Sequence, residues 1–589
     1  MDWTWSLKEI YESFDCPEFK RDTEEFKAAI ESLKAWAAGN FASREGACGK
    51  IEEYLRMTQG MERFYKLSTF ASLSISANSE DAAAVKSMDV IQQMMSEMSL
   101  PTVMFAKYVA ETTELDEYIA QSDIIREHEF ILREMQKEAK YKLSDEEEAM
   151  LAKMKNTGSS AWNKMKEQLC STLKIPMTID GEEKVMSLSM VRNLARSERK
   201  DIREAAYAAE LESYKKVDKA VAASLNAIKG EVLTVCKLRG YESPIDMTVK
   251  TSRMDMETLD AMLSAMRDSL PSFRKYYKKK AALLGYGGGQ GLPWHGIIAP
   301  VGSVSMKFTI EEAADFIVKN FNDFNPEMGS FARMAFDNRW IDVFPRDGKR
   351  GGAFCAGVPE LRQSRILMNF DGSFDSMLTL AHELGHAYHS YCLKTTSRHN
   401  TRYPMPLAET ASTFCETLVA RAALKTATKE EAFVIRENDI MGNAAVIVDI
   451  YSRYLFETEL FRRRESGSLS VDELNEMMTD AQKAAYGDGL DHSILNSGAW
   501  INKPHYYYAE RNFYNFPYAY GQLFALGLYA RYIEEGAAFL PKYNALLAAT
   551  GVKDLVGVGE LVGIDVRDKA FWAQSLSVIE GEIEEFCKH

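Results

Sequence analysis

Three of the nine histidines in the chain lie within eight positions, in the segment MLTLAHELGHAYHSY (377–391). His382, His386 and His389 are spaced four and three residues apart, so a helix would place them on one face. His382 and His386 would then be about one turn apart, close enough for both imidazoles to reach one metal ion. Glu383, rotated by about 100° from His382, could take a proton from a water held by that metal. The HExxH spacing therefore predicts a zinc site in which Glu383 is the general base.

A zinc site with two histidines needs a third protein ligand, and the segment PMPLAETASTFCETLVARAAL (404–424) offers one. Pro406 is suited to the start of a helix, with Glu409 and Glu416 on the face opposite an apolar stripe. Two acids on an isolated helix are typical of a solvated face. Beside a histidine pair, however, Glu409 is predicted to be the third ligand, and Glu416 to orient a histidine through its free ring N–H. The stripe consists of Leu407, Ala411, Phe414 and Leu418.

Two other residues of the histidine segment need an explanation. His389 would lie about 10 Å along the helix axis from His382, too far for both to bind one ion comfortably. It is therefore either a residue of the surrounding pocket or a packing residue. Gly385 weakens a helix by up to about 1 kcal/mol relative to Ala, and it indicates the close approach of another backbone segment.

An aromatic tract, HYYYAERNFYNFPYAY (505–520), holds eight Phe or Tyr residues in sixteen. Such a tract is often a buried aromatic cluster. Tyrosine hydroxyls and an imidazole are also the donors that stabilise the oxyanion formed when an amide carbonyl is attacked. Pro517 indicates that a helix begins near Phe516, and the spacing leaves open which tyrosines face a cleft.

The bulk properties restrict the class of protein. A chain of 589 residues is expected to form at least two structural lobes. Its net charge of −15 argues against nucleic acid and anionic lipid as partners. No apolar run of about 18 residues predicts a membrane span, and the first twenty residues lack the apolar block of a secretory signal. Eight cysteines without a CxxC pair indicate free thiols, so we expect a cytoplasmic protein.

Helical periodicity dominates the chain, and the predicted fold class is mostly α. Asp180-Gly181 separates two extended runs and predicts a hairpin turn. A second β-rich segment, 351–373, predicts one or two short strands with a turn near Pro359, directly before the histidine segment. We place the boundary between a helical N-terminal region and a catalytic domain near residue 195, giving regions 1–195 and 196–589.

At this point the chain resembles a known family. HELGH, the PLAETAS glutamate 27 residues after His382, and the H…FYxxxYAxG tract together resemble the thimet-type zinc oligopeptidases of family M3, in the oligoendopeptidase F branch. The resemblance implies an ellipsoidal, mostly helical fold with a small β element at the cleft. It also implies a deep channel that admits oligopeptides and excludes folded proteins.

The resemblance carries over to particular residues of the metal site. It implies one zinc ion per chain, held by His382, His386 and Glu409, with Glu383 as the base. Two histidines and a carboxylate also suit other divalent ions, so the residue types alone leave the metal open.

The same resemblance assigns the groups that contact the substrate. His505, Tyr514 and Tyr518 are implied to stabilise the oxyanion, with Tyr507 as an alternative to His505. The segment SRILMNF (364–370) corresponds to the strand of the family's sheet at the cleft. There an exposed edge is expected to pair with the extended backbone of the substrate.

These expectations describe a zinc-dependent endopeptidase that cleaves internal bonds of short, unfolded oligopeptides. Two alternatives stay open. A zinc carboxypeptidase or dipeptidase on the same site would need a pocket that captures a peptide terminus. A non-catalytic peptide-binding protein with a structural zinc would need a fourth protein ligand, and it would leave Glu383 without a role.

Overall fold

The N-terminal part of the molecule is an array of helices. The computed structural model describes residues 3–302, 306–394 and 396–589, and helices dominate throughout these ranges. The helices before the first strand are α1 (Pro17–Asn40), α2 (Ala47–Met61), α3 (Tyr65–Ala77), α4 (Ala82–Glu97), α5 (Ser99–Ala110), α6 (Leu115–Gln121), α7 (Asp123–Glu127), α8 (Glu129–Ala139), α9 (Asp145–Lys155) and α10 (Ser159–Ser171). The mostly α fold class is confirmed.

A β-hairpin follows the first group of helices. Strands β1 (Ile175–Ile179) and β2 (Glu182–Met186) pair antiparallel. The residues between them, Asp180 and Gly181, have φ values of 54° and 81°. Positive φ at both central residues is the conformation of the type I′ turn, one of the two favoured in two-residue hairpins, and the predicted hairpin is confirmed.

Helices lead from this hairpin to a small sheet. They are α11 (Leu188–Asn193), α12 (Lys200–Tyr214), α13 (Asp218–Arg239), α14 (Pro244–Thr251), α15 (Met256–Leu283), α16 (Ile310–Phe324) and α17 (Pro326–Asp337). The sheet that follows lies beside the helix with the histidines.

The sheet has the strand order β3-β5-β4, from β3 (Ile341–Asp342), β4 (Phe354–Val358) and β5 (Gln363–Leu367). The two strands and the turn at Pro359 predicted within 351–373 are confirmed. The segment SRILMNF contributes the central strand β5, with which β3 pairs in parallel and β4 antiparallel, so the exposed edge expected at this sheet belongs to another strand. Among the strands of the described chain, β3 and β4 each pair with β5 alone, so both are edge strands. Directly after β3, the backbone N–H of Val343 donates to the carbonyl of Trp3 at 2.9 Å. Ser364 to Leu367 of the central strand β5 are accordingly buried.

The remaining helices form the C-terminal part and carry the candidate site. They are α18 (Phe374–Cys392), α19 (Met405–Ala408), α20 (Thr410–Thr426), α21 (Lys429–Ala444), α22 (Ile450–Arg464), α23 (Val471–Tyr486), α24 (Ala499–Asn502), α25 (Phe516–Glu535), α26 (Leu540–Ala549), α27 (Leu555–Glu560) and α28 (Lys569–Lys588). A π-helical segment, Ala445–Asp449, joins α21 to α22. None of the helices that the structure describes is both long and apolar enough to cross a membrane.

Buried apolar side chains form three clusters. The first lies among the N-terminal helices and reaches Val358 and Leu367 of the sheet. The second joins segment 170–228 to segment 456–507, and the largest runs from Val232 to Phe586. The second cluster contains residues from both sides of position 195, where the domain boundary stays a prediction.

Candidate metal centre

Helix α18 positions the histidines. It begins after Ser373, whose Oγ accepts a hydrogen bond from the Ser376 backbone N–H at 3.1 Å, and it includes the whole predicted helical segment. A methyl carbon built on Gly385 would lie 2.6 Å from Cα of Ser412 and 2.7 Å from the carbonyl oxygen of Ala411. The predicted close approach of another backbone is therefore confirmed, and that backbone belongs to α20. Only glycine lets the two helices pack this closely.

Three ligand atoms converge where α18 meets the start of α20. Nε2 of His382 lies 3.1 Å from Nε2 of His386, and Oε2 of Glu409 lies 3.2 Å and 3.4 Å from these two atoms. A tetrahedral zinc ion bound at about 2.0–2.1 Å has neighbouring ligand atoms about 3.3–3.4 Å apart. The triangle therefore fits a zinc ion, which these three residues would hold with a further position open to water or substrate. Within the described chain, these residues form the one group of metal-binding side chains with this spacing.

Glu409 lies at an interruption between two helices. The expected continuous helix from Pro406 is wrong: α19 ends at Ala408, and Glu409 is the residue before α20. Its carbonyl accepts hydrogen bonds from Thr413 N at 3.0 Å and Ser412 Oγ at 3.1 Å, and its carboxylate accepts another from Ser412 Oγ at 2.9 Å. The predicted apolar stripe is buried on both helices.

Glu416 lies about two helical turns after Glu409, on α20, and contacts the other ring nitrogen of His382. Its Oε1 is 3.4 Å from Nδ1 of His382, while Nε2 of the same ring faces the metal triangle. Burial lowers the pKa of His382, but the hydrogen bonds of Glu409 and Glu416 outweigh it and raise the pKa to about 10. The same negative field favours a bound metal cation at this position. A carboxylate that accepts the second ring N–H of a ligand histidine fixes its tautomer and orientation.

Glu383 is buried next to the triangle without belonging to it. Its side chain is 6% exposed, and its Oε2 has no hydrogen-bond partner among the described residues. Burial raises the pKa of the Glu383 carboxyl. A buried carboxylate oxygen without a protein partner is costly, so it needs an explanation beyond packing. The position suits a group that exchanges a proton with a ligand at the metal.

His389 is buried and does not belong to the metal triangle. Its imidazole is fully buried, its Nε2 lies 2.8 Å from Oγ1 of Thr550, and its ring stacks on Tyr403 with 4.4 Å between centroids. Burial lowers the pKa of His389 to about 3, so the ring is neutral. His389 therefore lies outside the group of metal-binding side chains, and its role as a pocket or packing residue stays a prediction.

An aromatic trio lies beside Glu409. The ring of His505 is 5.2 Å from that of Tyr514 and 6.3 Å from that of Tyr518, and the two tyrosine rings are 5.5 Å apart. Helix α25 begins at Phe516, as predicted. Burial, Tyr514 and the negative charge of Glu409 together raise the pKa of the Tyr518 hydroxyl, so it stays protonated and can donate a hydrogen bond.

Two contacts tie the trio to the metal triangle. The hydroxyl of Tyr514 lies 3.9 Å from Sδ of Met405 on α19, four residues before Glu409. A methyl carbon built on Gly521 of α25 would lie 3.3 Å from Cβ of Glu409. The structure therefore brings His505, Tyr514 and Tyr518 to the side of the metal triangle formed by Glu409.

His505 and Tyr507 lie in different environments. Burial, with the nearby cations Arg453 and Lys503, lowers the pKa of His505 to about 4. Its Nδ1 has no hydrogen-bond partner in the described part of the chain. Tyr507 is buried in the second apolar cluster and donates its hydroxyl hydrogen bond to the carbonyl of Trp500 at 3.1 Å. Tyr507 as an alternative to His505 is therefore wrong.

Sequence reasoning missed several residues of this environment. Arg453 and Lys503 both pair with Asp449 at the end of the π-helical segment and set the charge around His505. Ser412 holds the Glu409 carboxylate. Their spacings carry no recognisable signal, because each acts through contacts between distant parts of the chain.

Comparisons with known proteins agree with this geometry. Residues 193–578 match the family model described as Peptidase family M3, and residues 110–174 match one described as Oligopeptidase F. Oligopeptidase PepF of Bacillus subtilis is 23% identical over 99% of this chain and 86% of its own length. Plasmid-encoded oligoendopeptidase F of Lactococcus lactis subsp. cremoris is also 23% identical, over 99% of this chain and 97% of its own.

Solved structures share the fold over the whole length. A candidate peptidase from Chlamydophila abortus superposes with a TM-score of 0.86, at 20% identity, over 100% of this chain and 98% of its own. Oligoendopeptidase-F from Enterococcus faecium superposes with a TM-score of 0.67, at 18% identity, over 97% and 98% of the two chains. The helical architecture with its small sheets is therefore that of known peptidase structures.

Proposed function

The chain belongs to peptidase family M3, and on this premise we propose that it is a zinc-dependent endopeptidase that cleaves internal bonds of short, unfolded oligopeptides. The observation that carries the proposal is the triangle of His382, His386 and Glu409, with the buried carboxylate of Glu383 beside it. The names of the relatives, oligopeptidase and oligoendopeptidase F, support short peptides as the substrate class.

Metal binding and proton transfer are carried by different residues of the site. His382, His386 and Glu409 would hold the zinc, which when bound polarises the scissile carbonyl and lowers the pKa of water. Glu383 takes the proton of the attacking water and passes it to the leaving amine, which its partnerless Oε2 permits. Because Oε2 of Glu383 makes no hydrogen bond within the described chain, it is available for both proton transfers.

The aromatic trio supplies donors for the oxyanion. Tyr514 and Tyr518 each offer a hydroxyl, and the raised pKa of Tyr518 keeps that proton in place. His505 is neutral at pH 7 because its pKa is lowered to about 4, so one ring nitrogen carries an N–H and can donate without adding a charge. Donors fixed before the reaction stabilise the charge that develops on the carbonyl oxygen.

The free edge of β4 is the surface for the peptide backbone. It belongs to the strand that packs on α18, and an extended peptide can add to such an edge through main-chain hydrogen bonds. Recognition through the backbone tolerates many side chains and requires an unfolded substrate.

The structural-zinc alternative receives no support from the site. The metal group in the described ranges has three members, whereas a structural zinc is closed by four protein ligands. The carboxypeptidase and dipeptidase alternatives concern the peptide ends, and experiment separates them from endopeptidase activity.

The test is cleavage of an internally quenched peptide that is blocked at both ends. We expect cleavage by the wild-type protein, loss with a chelator and recovery with zinc. Glu383→Gln should keep the zinc and lose nearly all turnover. Glu360→Gln, which changes another largely buried glutamate with no hydrogen bond to its oxygens in the described structure, is the matched control and should stay active. Cleavage only of peptides with a free end would replace the endopeptidase by a terminal peptidase, and turnover by Glu383→Gln would remove Glu383 as the base.

A further inference from the structure

Tyr514 follows a residue with an unfavourable backbone conformation. Phe513 has a φ of 50°, in the left-handed region that non-glycine residues rarely occupy. Its ring is buried and packs on Phe461 and Tyr454 of α22, with centroid distances of 5.7 Å and 5.8 Å. Such a conformation persists only where the surroundings hold it in place, and it is typical of functional sites. It directs the chain so that Tyr514 joins the aromatic trio.

The residues that flank this strained position are bound to a buried ion pair. Lys229 of α13 and Glu457 of α22 lie 2.8 Å apart, with side chains 0% and 1% exposed. Nζ of Lys229 donates to Oδ1 of Asn512 at 2.9 Å. Nδ2 of Asn515 donates to Oε2 of Glu457 at 3.3 Å. One ion pair therefore holds the chain on both sides of Phe513 and Tyr514.

A second buried ion pair shows that this arrangement is specific. Lys280 and Glu437 lie 2.6 Å apart and are equally buried, with exposures of 0% and 1%. Their further hydrogen bonds go to Tyr276 and Met441, outside the aromatic tract. Burying a charge pair is costly. Replacing such a pair by well-packed apolar residues often leaves stability unchanged or raises it. The remaining hydrogen bonds of the Lys229–Glu457 pair therefore indicate its role.

We propose that Lys229 and Glu457 are positioning residues, which hold Asn512 and Asn515 so that the hydroxyl of Tyr514 is fixed where the oxyanion forms. This inference rests on the proposed function, because it needs Tyr514 as an oxyanion donor. A donor displaced by about 1 Å can cost about 100-fold in rate. The pair acts through Tyr514 and touches neither metal nor substrate.

The test is a paired apolar replacement, Lys229→Met with Glu457→Met, which removes both charges together. We expect unchanged zinc content and a KM within about threefold of wild type, while kcat falls by about 10- to 100-fold. The matched control, Lys280→Met with Glu437→Met, should keep kcat within about threefold. A paired variant that keeps the kcat of the control would overturn the proposal.

A mutant cycle distinguishes positioning from general loosening. If the ion pair acts through Tyr514, it has little left to position once Tyr514 is replaced by Phe. Adding Lys229→Met and Glu457→Met to Tyr514→Phe should therefore lower kcat by less than about threefold relative to Tyr514→Phe alone. A full multiplicative loss in that background would count against the proposal. Should the paired variant fail to fold, Asn512→Leu with Asn515→Leu removes the loop side of both contacts and leaves the ion pair intact, and the same criteria apply.

A measurement without turnover separates this proposal from the proposed function. The ¹⁹F resonance of a fluorotyrosine placed at position 514 should shift or broaden in the Lys229→Met/Glu457→Met protein and stay unchanged in the control. An unchanged resonance in the paired variant would overturn the positioning role even if the enzyme is active. Failure of the wild-type protein to cleave any peptide would instead overturn the proposed function.

Discussion

Replacing Gly385 by Ala should weaken the metal site without touching a ligand. The added methyl carbon would lie 2.6 Å from Cα of Ser412, and this contact must lengthen by about 0.8 Å to reach the 3.4 Å at which ordinary contacts begin. The nearest atoms that the methyl carbon would meet belong to the backbone of α20, so no side chain can rotate away to relieve the contact. Helix α20 must move away from α18, and it takes Glu409 at its start and Glu416 along its length with it.

The expected loss of zinc affinity follows from the narrow range of ligand distances that a metal site tolerates. Ligand distances in a good site vary by about 0.2 Å, so a displacement of about 0.8 Å is several times that tolerance. Disturbing the groups around a zinc site typically costs about 10- to 100-fold in metal affinity, and we expect a loss of that size. Overpacking a close helix contact should also lower the free energy of unfolding by about 1–3 kcal/mol.

Zinc affinity, measured by competition with a chromophoric chelator, and urea unfolding of the zinc-loaded protein check both numbers. Gly581→Ala is the matched control. Gly581 lies within α28, and a methyl carbon built there meets nothing within 4 Å. That variant should bind zinc like wild type and gain up to about 1 kcal/mol from helix propensity. Wild-type zinc affinity and stability in Gly385→Ala would refute the argument that this contact sets the site.

Three further predictions follow from single contacts. Glu416→Gln removes the charged partner of His382 Nδ1 and should lower zinc affinity by about 10- to 100-fold in the same competition assay; unchanged affinity would exclude the orienting role. Tyr518→Phe removes one oxyanion donor, so kcat should fall by about 100- to 1,000-fold with zinc content unchanged, and a kcat near that of wild type would count against this donor. Burial, with His128 and nearby arginines, lowers the pKa of His399 to about 4. Because an unfolded histidine binds its proton below about pH 6.5, the free energy of unfolding should fall as the pH drops from about 6.5 to 4, by at most about 1.4 kcal/mol per unit from this residue. Urea titrations of wild type and His399→Gln should show a shallower pH slope for the variant, and equal slopes would contradict this.

The metal triangle could be predicted because most of its signal is local. His382, Glu383 and His386 share one helix, where a period of 3.6 residues fixes their relative directions. Glu409 followed from the need for a third ligand in a nearby segment. The interruption of the helix at Glu409 could not be predicted, because the residues around it favour one continuous helix.

Contacts between distant segments account for the errors and omissions. The sequence left open which strand carries the exposed edge, because β3 pairs with β5 in parallel and local pattern does not reveal that partner. Tyr507 and Tyr514 look alike in sequence, yet one lies in an apolar cluster and the other in the aromatic trio. Lys229 and Glu457 are 228 residues apart, so nothing local links either one to Tyr514. The domain boundary near residue 195 stays a prediction.

The cluster shared by segments 170–228 and 456–507 affects how the chain folds during synthesis. The first segment leaves the ribosome with apolar faces, including those of Ile175 and Leu225, whose partners have not yet been made. At about 5–20 residues per second, the ribosome needs roughly 15 to 60 s to reach the end of the second segment. During that interval these faces must be covered by transient contacts or by chaperones. Slow translation between the two segments should therefore favour aggregation of the nascent chain more than slow translation after residue 507.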